Sequence, residues 1–155
     1  LGDVYKRQVP RYLRLELNER MFADGNVHTP LKEDEIKEAC EHFIKDGVTS
    51  IAVCLINSYA NNAHEKKIEK LLRKFGFEGY ISLSSVVSGE YREYERTTTT
   101  VIDSFVKARM SNYLNNLKNE LKNLGFEFDK NIVSLKGGLI KKIGFFDKKK
   151  FFLIR

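Results

Sequence analysis

The segment 88–100 concentrates the side chains best suited to chemistry. Arginine and threonine side chains at a helix start can bind a phosphate or a carboxylate. The same residue types can instead cap the helix and pair with one another, which would lock a domain junction. The spacing favours this structural interpretation; under the other, the candidate catalytic residues are Arg92, Glu93 and Arg96. The full cluster is Glu90, Arg92, Glu93, Glu95, Arg96 and the four threonines Thr97, Thr98, Thr99 and Thr100.

Two adjacent glycines, Gly137 and Gly138, follow an apolar stretch at 131–135. Because glycine has no side chain, a backbone containing it can approach a ligand closely. Gly137 and Gly138 are therefore the candidate cofactor-binding residues. A simple turn is the more common explanation of such a pair.

Other motifs with known chemistry are missing. The chain contains neither G-x-S-x-G nor G-x-x-x-x-G-K-[ST]. His28, His42 and His64 lack metal-ligand spacing, so we expect no metal site and expect solvated histidines at 42 and 64. Cys40 and Cys54 belong to no C-x-x-C motif, which predicts two buried, reduced thiols in a cytoplasmic protein.

The net charge of +6 is concentrated at the two chain ends. Residues 136–155 contribute +6 and residues 1–8 contribute +1, which leaves −1 for residues 9–135. A nucleic-acid-binding domain gathers positive charge on one folded face, so we expect no nucleic-acid partner. The longest apolar run, 51–56, is too short to cross a membrane, so we expect no membrane partner either.

Both ends look foreign to the domain between them. Residues 1–8 lack a start methionine, and residues 140–155 alternate lysine clusters with phenylalanine pairs, without the period of a strand or a helix. A basic anchor at a membrane surface is one interpretation of the C-terminal segment. Out-of-frame translation or a truncated gene end is the favoured one. We expect 140–155 to be disordered or loosely packed and dispensable for stability.

Hydrophobic periodicity predicts an α/β fold for the middle of the chain. Strand patterns at 12–17, 50–56 and 79–84 alternate with two amphipathic helices, which end at Gly47 and Gly76. This order predicts a mostly parallel β-α-β-α-β layer with right-handed crossovers.

The boundaries of the later elements follow from the same patterns. Asn62 is the predicted N-cap of the second helix, with Glu65 completing a capping box. A long helix from about Thr97 to Gly125 and a strand at 131–135 are predicted to follow.

Several of these segments resemble the hydantoinase A/5-oxoprolinase family. The resemblance covers residues 9–139 and departs from the family pattern at Lys136, where asparagine is usual, and at Asn62, where proline is usual. The chain also lacks the family's glycine- and threonine-rich phosphate-binding segment. The matching stretches are 9–16, 19–20, 24–25, 29–31, 47–48, 51–54, 57–61, 63–65, the most specific at 92–97 with 99–101, and 137–139.

The resemblance implies an internal fragment of a cytoplasmic ATP-dependent hydrolase with an actin-like, sugar-kinase-like ATPase core. Its substrate would be a five-membered cyclic amide such as hydantoin or 5-oxoproline, although relatives carboxylate acetone. ATP with Mg²⁺ would be its cofactor, and a hydantoinase B-type subunit or domain its partner. Because a lactam carbonyl is a poor electrophile, phosphorylating its oxygen would supply a leaving group.

On the same resemblance, residues 9–96 would be the later part of the N-terminal domain, and residues 97–139 the start of the central domain. Residues 1–8 and 140–155 would be non-native or truncated. Without the phosphate-binding segment, we expect the fragment to be inactive alone and to bind no cofactor tightly. The alternative is a stand-alone small-anion-binding or structural α/β module without catalysis.

Overall fold

The computed structural model describes Val9, residues 11–123 and residues 151–154. Four parallel strands form one sheet in the order β1-β6-β4-β5, and β2 and β3 form a separate antiparallel pair. A 3₁₀ turn at Arg11–Leu13 precedes the first strand. The strands are β1 (Arg14–Leu15), β2 (Arg20–Met21), β3 (Val27–Thr29), β4 (Ser50–Val53), β5 (Tyr80–Leu83) and β6 (Phe151–Ile154); the helices are α1 (Glu33–Lys45), α2 (Ala63–Lys74), α3 (Ser84–Val87) and α4 (Glu93–Asn123).

The two amphipathic helices form as their sequence patterns predict. α1 buries Ile36, Ala39, Cys40 and Phe43 on one face, whereas Ile44, at the edge of that stripe, is half exposed. α2 buries Ile68, Leu71 and Leu72 in the same core. Each helix is followed by a glycine with positive φ, 65° at Gly47 and 93° at Gly76. This left-handed conformation, readily adopted by glycine, stops the helix.

β4 is buried along its whole length, as its continuous apolar run predicts. Its neighbours β5 and β6 both run parallel to it, so the predicted α/β class with a parallel sheet is confirmed. The strand predicted at 12–17 is shorter, because residues 11–13 form the 3₁₀ turn and only Arg14–Leu15 pair in the sheet. α4 begins at Glu93, four residues before the predicted start. Gly125 and the strand predicted at 131–135 lie outside the described residues.

The C-terminal residues 151–154 correct one expectation. They form β6, which lies between β1 and β4 and pairs Ser50 with Phe151 and Val53 with Ile154. Leu153 and Ile154 are buried in the core. The expected loose packing of 140–155 is therefore wrong for these four residues. Their apolar run shows no alternation because a strand inside a covered parallel sheet needs none.

A membrane-spanning helix is not found in the described part of the chain.

Candidate functional site

A buried polar cluster lies at the carboxyl edge of the sheet, where β4 and β5 end. In open α/β sheets this is the edge at which ligands bind. The cluster is built by the residues that follow β4, the first turns of α2 and α4, and the short helix α3 directly after β5. Its charged members are Glu65 and Arg96, which are 0% and 1% exposed.

Glu65 accepts four hydrogen bonds. Its Oε1 receives the backbone N–H of Leu55 at 3.0 Å and the hydroxyl of Ser84 at 2.6 Å. Its Oε2 receives the backbone N–H and the hydroxyl of Ser85, at 2.9 Å and 2.7 Å. These bonds offset the cost of burying a carboxylate away from water.

Arg96 donates to oxygen atoms of three different segments. Nη2 reaches the carbonyl of Leu55 at 2.9 Å, Nη1 the carbonyl of Glu90 at 2.8 Å, and Nε the hydroxyl of Ser84 at 3.2 Å. The Leu55 peptide is therefore held from both sides, its N–H by Glu65 and its C=O by Arg96. Ser84 joins the two charged groups, so opposite charges balance inside the protein without a direct ion pair.

The directions of the hydroxyl bonds follow from counting protons. Ser84 has one hydroxyl hydrogen, and it points to Glu65. In the contact of 3.0 Å between the Ser58 and Ser84 hydroxyls, Ser58 is therefore the donor. This orders the loop after β4 against α3.

Cys54 lies beside this cluster as a free, buried thiol. Burial raises the pKa of Cys54 to about 12, and the charge of Glu65 acts in the same direction. Hydrogen bonds with Thr100 and Thr97 and the charge of Arg96 lower that pKa, but by less. Because the thiolate is the reactive form, Cys54 is not a nucleophile at neutral pH. The prediction of two buried, unpaired cysteines is confirmed.

A second set of contacts joins the β2–β3 hairpin and the residue before it to the loop before α2 and the first turn of α2. The imidazole of His64 meets the carboxylate of Glu19, both with mostly buried side chains. The side-chain amide of Asn57 donates to the carbonyl of Met21 at 2.9 Å. Farther along the loop, the side-chain amide of Asn61 donates to the carbonyl of Gly25 at 2.8 Å.

The candidate catalytic residues are separated by the structure. Arg92 is exposed, with its Nη1 3.7 Å from Glu95 and its Nε donating to the hydroxyl of Tyr91. Glu93 is the half-exposed first residue of α4, whereas Arg96 is buried in the cluster. The candidate cofactor-binding residues Gly137 and Gly138 lie outside the described residues.

The expected pairing of arginines with carboxylates in segment 88–100 is found at Arg92, which lies beside Glu95, but not at Arg96. Arg96 instead bonds to carbonyl and hydroxyl oxygens. The expected capping by the threonines is also wrong, because α4 starts before them. Thr99 and Thr100 donate to the carbonyls four residues earlier, those of Glu95 and Arg96.

Asn62 is the N-cap residue of α2, as predicted, but its side chain makes no capping hydrogen bond; the side chain of Asn61 accepts the backbone N–H of Ala63 instead. Two other expectations about this helix are wrong. Glu65, expected in a capping box, is directed into the cluster. His64, expected to be solvated, is buried against Glu19, whereas His42 is exposed as expected.

The sequence carried one signal for Glu65. It lies three and seven residues before Ile68 and Leu72, on the buried stripe of α2. A charged residue in an apolar stripe indicates a buried, paired group. Ser58 and Ser84 carried no such signal, since a lone serine beside a strand is usually exposed.

The buried cluster does not fit a nucleotide or a metal ion. A triphosphate needs free cations or backbone N–H groups around it, and the buried guanidinium is bonded to protein oxygens. Among the described residues, no group of three histidine, cysteine, aspartate or glutamate side chains could hold a metal. The cluster holds the start of the loop after β4 against α2, α3 and α4.

Comparison with known proteins adds to this geometry. Residues 2–76 match the family model described as the hydantoinase/oxoprolinase N-terminal region. An uncharacterized protein of Methanocaldococcus jannaschii is 36% identical over 134 residues, which are 86% of this chain and 20% of that protein. Caprolactamase subunit alpha of Pseudomonas jessenii is 28% identical over 131 residues, 84% of this chain and 19% of the subunit.

A solved structure shows the same relationship. The crystal structure of ATP-dependent caprolactamase from Pseudomonas jessenii superposes with a TM-score of 0.69 and 26% sequence identity, over 73% of this chain and 16% of that one. The chain thus spans about a fifth of the length of these curated relatives. The resemblance predicted from the sequence is confirmed: the chain is related to the hydantoinase/oxoprolinase family of ATP-dependent enzymes, and residues 2–76 correspond to that family's N-terminal region.

Proposed function

We propose that the chain is part of an ATP-dependent hydrolase that opens a cyclic amide. The substrate class is a five-membered ring of the hydantoin or 5-oxoproline type. The observation that carries this proposal is the match of residues 2–76 to the hydantoinase/oxoprolinase N-terminal region. The similarity to a solved ATP-dependent caprolactamase supports the same bond type, since a lactam is a cyclic amide.

In this proposal the described residues supply one edge of a larger catalytic unit. Residues 9–96 belong to the N-terminal α/β domain and 97–139 begin the central domain, within an actin-like ATPase core. ATP and Mg²⁺ bind outside the described cluster, whose charged groups are occupied by protein partners. In this proposal the 155-residue chain is inactive alone, because it supplies only part of the ATP-binding core.

The proposed partner is a second, hydantoinase B-type subunit or domain, and the proposed location is the cytoplasm, where ATP is available. The relative from Pseudomonas jessenii is itself named as an alpha subunit, which supports a partner subunit. The alternative of a small-anion-binding module has less support. Arg96, the main candidate for binding the anion, already donates its hydrogen bonds to carbonyl and hydroxyl oxygens.

The test compares the complete enzyme, with its partner subunit, and the 155-residue chain. Each is incubated with ATP and with hydantoin, 5-oxoproline or caprolactam, and both ADP and the ring-opened product are measured. We expect ring opening by the complete enzyme only with ATP, and no turnover by the chain. Failure of all three amides to open would contradict the proposed reaction, and turnover by the chain alone would contradict the fragment assignment.

A further inference from the structure

The loop after β4, residues 55–61, is fixed by side chains from four directions. Glu65 and Arg96 hold its first peptide, that of Leu55. Ser58 is bonded to Ser84 of α3. Toward the hairpin, the amides of Asn57 and Asn61 bond to two backbone carbonyls. Four of the seven loop residues thus bond to α2, α3, α4 and the hairpin.

The backbone of this loop is also unusual. Asn57 has a φ of 58°, and among the described residues no other residue except glycine has a positive φ. This left-handed conformation is uncommon for residues other than glycine, although asparagine tolerates it better than most. Such conformations persist where surrounding contacts impose them, and they concentrate at functional sites.

The loop presents an aromatic side chain at the carboxyl edge of the sheet. Tyr59 is 39% exposed, and the Arg96 guanidinium carbon lies 5.7 Å from the centre of its ring. A cation at this distance favours one orientation of the ring. The same hydrogen-bond network that holds the backbone therefore also orients Tyr59.

The groups at this part of the edge are suited to the uncharged ring of a cyclic amide. Tyr59 offers a ring and a hydroxyl, and Asn57 is half buried beside it. The nearby charges of Glu65 and Arg96 are buried and bonded, so they are not available to phosphate oxygens. The uncharged ring of a cyclic amide fits this surface better than a triphosphate does.

We propose that the loop 55–61 faces the cyclic amide rather than the nucleotide, with Tyr59 in contact with the ring. Glu65 and Arg96 are positioning residues, which act by holding the loop rather than by touching the substrate. This inference rests on the proposed function and adds to it the part of the chain that recognises the amide.

The experiment measures KM for the amide and KM for ATP separately, in the complete enzyme. We expect Tyr59→Ala to raise KM for the cyclic amide about tenfold while KM for ATP is unchanged. Glu65→Gln should likewise raise KM for the amide and leave KM for ATP unchanged. The amide group of glutamine would direct its N–H toward one of the donors that now surround the carboxylate, which would loosen the loop. Tyr12→Ala is the matched control, since Tyr12 is 67% exposed and precedes β1, at the opposite edge of the sheet.

Equal increases in both KM values, or no increase in the amide KM of Tyr59→Ala, would overturn the inference. If Glu65→Gln does not fold, Tyr59→Ala decides alone, because its exposed side chain supports no core packing. A wild-type enzyme that opens no cyclic amide contradicts the proposed function instead, so the two failures are distinguishable.

Discussion

At the scale of single residues, two buried charges organise the carboxyl edge, and they are connected through a shared peptide and a shared hydroxyl group. Glu65 and Arg96 share the Leu55 peptide and the Ser84 hydroxyl. Burying each charge is costly, and hydrogen bonds to peptide and hydroxyl groups offset that cost. Removing either partner would leave the other charge uncompensated and several polar atoms unbonded.

Arg96→Ala should therefore destabilise the chain strongly. We expect a loss of about 3–5 kcal/mol, as for other buried charges that lose a partner. Urea unfolding of the chain measures this loss. The control is Arg92→Ala, whose exposed side chain is paired only at the surface and whose removal should barely move the midpoint. Equal midpoints for the two variants would show that Arg96 does not hold the edge.

The Cys54 thiol makes stability depend on alkaline pH. Its pKa is raised from the usual 9.0 to about 12, so the unfolded chain loses this proton first. The stability that the protonated Cys54 thiol contributes is fully present below pH 9. As the pH rises toward 12, the free energy of unfolding falls by about 1.4 kcal/mol per pH unit from this group.

Urea unfolding between pH 8 and pH 11 measures this effect. Cys54→Ala is the control, because lysine and tyrosine titrations affect it and the wild-type chain alike. The wild-type stability should fall more steeply than that of the variant. Parallel pH profiles would contradict the raised pKa.

At the scale of elements, the turn into β5 depends on a close backbone approach. A Cβ at Gly79 would lie 2.6 Å from the carbonyl oxygen of Thr49 and 2.5 Å from the ring of Phe77. The same carbonyl accepts the N–H of Tyr80, which aligns β5 with β4. A side chain here would displace the start of the edge strand.

Gly79→Ala should cost about 1–3 kcal/mol of unfolding free energy, as overpacking of a tight site does. Gly89→Ala is the matched control, because a Cβ there meets no atom within 4 Å. Thermal unfolding of both variants tests the difference. A Gly79→Ala chain as stable as Gly89→Ala would mean that the turn can relax without cost.

At the scale of the whole molecule, the sheet is completed by the C-terminal strand β6. Its backbone bonds to β1 on one side and to β4 on the other, so it separates the beginning of the chain from the buried β4. The four-stranded order requires residues 151–154. We therefore expect residues 151–154 to be necessary for stability, unlike the dispensable segment 140–155 predicted from the sequence.

Leu153→Asn should lower stability by about 3 kcal/mol or more, because it places an amide in the apolar core. Deleting residues 151–155 should lower the thermal midpoint further, by removing the strand itself. Circular dichroism during heating measures both. The control is Leu114→Asn on α4, where the leucine is already 38% exposed. An unchanged midpoint for Leu153→Asn would place β6 outside the folded sheet.

Local periodicity was sufficient to predict the α/β class, the buried strand β4 and the two amphipathic helices. Ile36 and Phe43, or Ile68 and Leu72, lie a fixed number of residues apart on one helix face, so their burial can be inferred from the chain. Gly47 and Gly76 marked the helix ends for an equally local reason. The family motifs were recognisable, but their roles were not.

Tertiary structure alone decided what those motif residues do. Arg96 bonds to a residue 41 positions away, and His64 meets Glu19 across 45 positions. The place of β6 beside β4 likewise depends on the order of strands in the sheet. The sequence by itself determined the fold class, the core stripes and the family, because those follow from neighbours along the chain. Hydrogen-bond partners of buried polar groups and the neighbours of a strand are chosen only when distant segments meet.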